Sequence, residues 1–133
     1  MPLSNPSSFV LSRLQVNSTI SINANSLITT PVTLSKSFIL LRVQFQPYHL
    51  RLRLYPSQNS QTNDLNRSTG TLPNVDSGLI FEGIFSNQLP AIQLNPVAIG
   101  HSEQETYYAT INNLSNSNLE NLSCDFFYIP IET

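Results

Sequence analysis

Between Tyr48 and Tyr55 the two kinds of side chain alternate without a break. Tyr48, Leu50, Leu52 and Leu54 fall on one side; His49, Arg51, Arg53 and Tyr55 fall on the other. A period of two is that of a half-buried β-strand, because successive side chains leave opposite faces of a strand. The pattern predicts leucines against a core and arginines facing water or a partner.

The rest of the chain reads as strands of the same kind. Residues 9–16 are apolar without a clear period, and 18–23 alternate, with Ile20 and Ile22 on one side. A turn cluster follows at 23–26. Residues 27–34 are rich in Thr, Val and Ile, and Pro31 among them points to an edge strand or a bulge. Residues 37–45 are apolar on both faces at their centre, the mark of an interior strand. Pro47 then marks either a hairpin turn or a bulge in one long bent strand. Residues 56–77 are the longest interval without a strand pattern, with a helical turn expected at 62–67, capped by Thr62 or Asn63. A strand at 78–85 has Gly83 as its expected bulge. Short strands at 89–94 and 97–100 lead to one at 105–113, a hairpin loop at 112–118 and a closing strand at 119–131. In that last strand Leu122, Cys124, Phe126 and Tyr128 share a face, and Pro130 lies near the end.

Roughly seven to nine strands, frequent turns and no amphipathic helix predict an all-β fold. The expected form is an antiparallel two-sheet sandwich with jelly-roll-like connections, one domain over residues 9–133. Residues 1–8, rich in Pro and Ser, are expected to form an extended N-terminal arm, or a disordered tail in a free monomer.

Composition changes the picture in one respect. Charged residues are 11% of the 133, against a usual quarter or so, while hydrophobic residues are 40%. The surface must therefore be built of Asn, Ser, Thr and Gln, which dock on another protein at small desolvation cost. A net charge of −2 argues against general nucleic-acid binding. The lone Cys124 has no internal partner and is expected as a buried thiol. The first residues lack the basic and apolar regions of a signal peptide, and no apolar run reaches membrane-spanning length.

Candidate chemistry is sparse, and no enzymatic activity, metal site or cofactor is expected. Of the two histidines, His49 lies beside arginines and His101 in a turn near Glu103 and Glu105. Neither sits in a nucleophile motif. The carboxylates are scattered, with no pair singled out for glycoside hydrolysis. Asp64 and Asp76 flank the long polar interval, as calcium ligands or, more simply, as turn formers. The basic stripe of His49, Arg51 and Arg53, joined by Arg42 if the next strand adjoins, is either a docking face or a solvated face that discourages edge aggregation. Tyr48, Tyr55, Tyr107 and Tyr108 allow a sugar-stacking alternative.

A set of segments carries a family likeness. They are Ser-Phe-Ile-Leu-Leu-Arg-Val at 37–43, Leu-Arg-Leu-Tyr at 52–55, Asp-Leu-Asn-Arg at 64–67, Thr-Gly-Thr at 69–71 and Gly-Leu-Ile at 78–80. To these add Tyr-Tyr-Ala-Thr-Ile-Asn-Asn-Leu-Ser at 107–115 and the closing Phe-Tyr-Ile-Pro-Ile-Glu at 127–132. Together they resemble the small all-β accessory virion proteins of tailed bacteriophages. The resemblance implies a non-enzymatic capsid cement or decoration protein. Such a protein is made in the host cytoplasm, sits on the capsid surface as a homo-oligomer and binds the major capsid protein, with no direct contact to nucleic acid or membrane. A carbohydrate-binding or receptor-recognition accessory of the phage tail is the alternative. Expected interface residues are Leu3 and Phe9 of the N-terminal region, with His49, Arg51 and Arg53.

Overall fold

The computed structural model describes residues 13–132. In chain order they form β1 (Leu14–Ile22), β2 (Leu27–Thr33), β3 (Ser37–Phe45), β4 (Leu50–Tyr55), helix α1 (Gln58–Asp64), β5 (Phe81–Phe85), β6 (Ala91–His101), β7 (Thr106–Asn113) and β8 (Leu119–Glu132). The expected arm at 1–8, with Leu3, and the neighbouring Phe9 lie outside the described residues.

β1 pairs with β8, β2 with β7, β3 with β6 and β4 with β5, all antiparallel. The chain is thus one long hairpin, doubled back at the 56–80 segment and rolled up. Two further pairings, β3 with β8 and β4 with β7, close it into two four-stranded sheets, β1-β8-β3-β6 and β2-β7-β4-β5. This is a jelly-roll order, as the strand count and turn spacing predict. Among the described strands β4 and β5 are the only successive pair in one sheet, so each other connection between them crosses between sheets.

That topology settles several local questions. Pro31 sits in β2, which pairs with β7 alone, so the proline lies on an edge strand. β3 lies between β8 and β6, as its two-sided apolar pattern predicts. Residues 46–49 make neither a hairpin nor a bend in one strand; they carry the chain from one sheet to the other. Residues 114–118 do the same, in place of the expected hairpin loop. Gly83 stands in regular register with Leu52 and is no bulge. Its missing side chain leaves room for Ile92, whose Cδ1 would stand 2.7 Å from an added Cβ. One irregularity lies instead between Leu40 and Arg42, where β6 loops out around the cis Asn95–Pro96 bond. The two short strands expected at 89–94 and 97–100 are therefore one.

The inner faces make the core. Leu50, Leu52 and Leu54 are fully buried, and so are Leu122, Cys124 and Phe126 from the opposite sheet. Two edge-on aromatic pairs span the sheets: Phe38 with Tyr107 at 4.9 Å and Phe45 with Phe85 at 4.7 Å between centroids. The Tyr107 hydroxyl donates to the carbonyls of Ser35 and Lys36, so its polar end is satisfied inside.

Candidate functional site

Each sheet has an outer face, and the two are unlike. On β2-β7-β4-β5 the outward side chains of β4 are Arg51, Arg53 and Tyr55, as alternation predicts. They do not meet water. The 56–80 segment folds back over them, and all six residues of β4 are buried. Arg51 and Arg53 are 2% and 0% exposed. The expectation that these two arginines face a partner is corrected here, because the polar interval after β4 is a cover and not a free loop. Arg42 does not extend their stripe, since β3 belongs to the other sheet. Of the stripe only His49 is exposed, in the crossing before β4.

The cover is held by helix α1 and by charge. Ser57 caps the helix, its Oγ accepting from the Ser60 amide at 3.1 Å, so the helix begins earlier than the expected turn at 62–67. Gln61 anchors it, its Nε2 donating to the Ala109 carbonyl and to Thr110 Oγ1, each at 3.0 Å. Arg53 donates to the carbonyls of Asp64 at 2.8 Å and Leu65 at 3.4 Å, and to Asn112 Oδ1 at 3.3 Å. Arg51 Nε donates to Glu82 Oε2 at 2.8 Å, and its Nη1 to the Arg67 carbonyl at 3.0 Å. Arg67 bridges both acids, reaching Asp64 Oδ1 at 2.8 Å and Glu82 Oε1 at 2.7 Å. The Tyr55 hydroxyl donates to Asp64 Oδ2.

These contacts fix the ionisation of the cluster. Burial pushes the Asp64 carboxyl up, but hydrogen bonds from Arg67 and Tyr55 and the nearby guanidiniums outweigh it, holding the group below its ordinary value. Glu82 behaves alike: burial raises it, and bonds from Arg67 and Arg51 bring it below. The Tyr55 phenol is pushed up to about 12, first by burial and then by its bond to Asp64. Burial lowers Arg53. The role of Asp64, Arg67 and Glu82 was not evident in sequence. Its signal was the pair of outward arginines on β4 followed at once by a long polar segment able to supply their acceptors.

Other candidates fare as follows. Asp64 has both oxygens engaged by protein donors, which removes it as a calcium ligand, and no group of three metal-binding side chains forms among the described residues. Tyr55 and Tyr107 are fully buried and unavailable for stacking on sugars, while Tyr48 is exposed. A cleft of about 650 Å³ opens between α1 and the 73–77 turn, lined by Asn59, Asn63, Asn74 and Asp76 among others. Ser37 Oγ lies 2.6 Å from His101 Nδ1, and His101 Nε2 lies 3.2 Å from Glu103. That row lies at the strand ends where Ser37 pairs with His101, and none of its residues lines the cleft beside α1.

The outer face of β1-β8-β3-β6 has no cover among the described residues. Across it runs an apolar row, Ile99, Ile39 and Ile129, in cross-strand register. Ile99 is 67% exposed, and Val97 and Ile131 near it are 42% and 51% exposed. In the next row Phe127 stands between Gln15 and Arg42. Two cations lie against its ring, Arg13 at 4.8 Å and Arg42 at 5.7 Å from the centroid. Beyond it come Asn17, Asp125 and Gln44, with Asn17 donating to Asp125 at 2.8 Å. The sequence signal for this face was the unbroken apolar run at 126–129, which leaves no polar side to β8 there. In comparison with known proteins, no family model, no curated protein and no solved structure matches the chain.

Proposed function

We propose that the chain is a non-enzymatic docking protein that binds a partner protein through the outer face of β1-β8-β3-β6. One observation carries the reading: one outer face is covered by the chain's own 56–80 segment, while among the described residues the other has no cover and leaves Ile99, Val97 and Ile131 exposed beside the half-buried Ile39 and Ile129. Contiguous exposed apolar area marks interaction surfaces, and a surface poor in charge adds little desolvation cost around it.

The likeness to small phage virion proteins gives the setting. There the chain is a capsid cement or decoration protein, sitting on major capsid protein at the particle surface. Copies pair about the symmetry axes, and many weak contacts add up over the shell. Jelly-roll domains serve as virion building blocks, which agrees with this use but does not require it. The test is quantitative mass spectrometry of purified particles from cells expressing the gene. The expected result is many copies per particle for the wild type, with association lost for Ile99→Glu while the fold persists. Recovery of the wild-type chain only outside the particles would overturn the reading.

The amide-lined cleft beside α1 favours a second reading, carbohydrate recognition by a tail accessory. Amides and the Asp76 carboxylate suit sugar hydroxyls, although no aromatic ring lines the cleft. A glycan array with no saturable hit removes it.

A further inference from the structure

We propose that the partner surface carries a carboxylate, seated at Arg13 and Arg42, next to apolar side chains that cover Ile39, Ile99 and Ile129. The inference rests on the docking reading above and adds the partner's chemistry.

The argument starts from charge. Elsewhere in the described residues Arg53 is held by carbonyls and Asn112, and two arginines find acids: Arg51 meets Glu82, and Arg67 meets Asp64 and Glu82. Arg13 and Arg42 meet none within salt-bridge distance among the described residues. Both instead lie against one ring, Phe127. A contact with a ring face leaves the in-plane N–H donors of a guanidinium unspent. Two like charges gathered at one ring repel each other and together draw an anion. The nearest carboxylate on the same face, Asp125, is already bonded by Asn17.

Geometry adds the apolar half. Phe127 and Ile129 are two residues apart on β8, a spacing of about 7 Å on the same face. Ile129 leads across Ile39 to Ile99 in register. A partner that sets an acid on the arginines and apolar groups on the isoleucines therefore needs the two about 7 Å apart. Residues i and i+2 of a strand, or i and i+4 of a helix, supply that spacing. Arginine suits the acid because its fork pairs with a carboxylate through two hydrogen bonds, and the isoleucine row dries the contact.

The test is selection of a random displayed peptide library against the immobilised full chain, followed by anisotropy titration of the labelled winners. The expected winners carry Asp or Glu two to four residues from Ile, Leu, Val or Phe. The R13Q/R42Q double variant should weaken them about tenfold, and so should replacing the peptide's acid by its amide. Raising the salt concentration should weaken binding to the wild type and barely affect the double variant. Lys36→Gln serves as the charge control, and thermal melts check that each variant folds. Failure to enrich any peptide, winners without an acid, or equal affinity for the double variant would each overturn the proposal. If Ile99→Glu abolishes binding and R13Q/R42Q does not, the docking face stands and the acidic partner falls. If neither matters, both fall. A wild-type dimer dissolved by Ile99→Glu in sedimentation would assign the face to a second copy and overturn the acidic partner as well.

Discussion

Arg53 has no contact with water and yet bonds three protein acceptors, two of them backbone carbonyls of the cover. Truncating it removes the donor from the half-buried Leu65 carbonyl and Asn112 amide oxygen, while the Asp64 carbonyl keeps its bond from the Arg67 amide; each buried acceptor left short costs about 1–3 kcal/mol before relaxation. Arg53→Ala should therefore lower stability by about 3 kcal/mol in urea unfolding, with Arg51→Glu combined with Arg53→Glu failing to fold. A loss under about 0.5 kcal/mol, normal for exposed charges, would mean that the arginines are not sealed. The acids add a pH dependence whose sign follows from their depressed folded values. Their stabilisation is full above the unfolded carboxyl pKa of about 4 and is lost as pH falls through the lower folded values. Tyr55 works in the opposite direction. Its folded value of about 12 lies above the ordinary 10, so its contribution is full below pH 10 and is lost as pH rises towards 12. Unfolding midpoints measured across pH should fall at both ends, and Glu82→Gln should flatten the acid limb. At this scale the alternation of β4 told which side chains leave which face, but not that the outward face is covered. Period fixes direction; burial depends on what else the chain lays on top.

The cover is the element on which that difference turns. It is a single short helix and its return, held by the Ser57 cap, the Gln61 anchor and the ion cluster. Seven residues are too few for a helix to stand alone in water, so its order is borrowed from these contacts. Ser57→Ala should cost about 1 kcal/mol, and hydrogen exchange should show α1 opening more readily in that variant while β3 and β8 stay protected. Unchanged exchange in α1 would mean that the cap carries no weight. The return is close-packed as well. Gly78 has φ +76, and a Cβ there would stand 2.7 Å from Ser60 Oγ. The sequence located this interval and its helical tendency, but misplaced the cap, because Thr62 and Asn63 are as good local candidates as Ser57. Tertiary contact of Gln61 with β7 selects the earlier start, and no local rule reports that contact. Sheet crossings at 46–49 and 114–118 were missed for a similar reason: a polar turn looks the same whether the next strand returns beside the last or joins the opposite sheet.

The described residues form a rolled hairpin with one outer face covered and one uncovered among them. The closed interior makes a simple prediction. Cys124 is fully buried, and burial pushes its thiol up, so a maleimide should label it no faster than global unfolding. The strand count, the all-β class and the interior placing of 37–45 were legible because each depends on local alternation. The proposed docking face was less legible than the charged stripe, because an apolar outward row on β8 hid within a run that reads as core. Hydroxyl-radical footprinting of the free chain, compared with the chain in complex with the proposed particle surface, tests the difference between the faces most directly. Ile99, Phe127 and Ile129 should become protected on binding, with Leu72 and Val75 on the cover labelled equally in both states. Protection of Leu72 and Val75 with Ile99 and Phe127 unchanged would contradict the assignment and place the interface on the closed side.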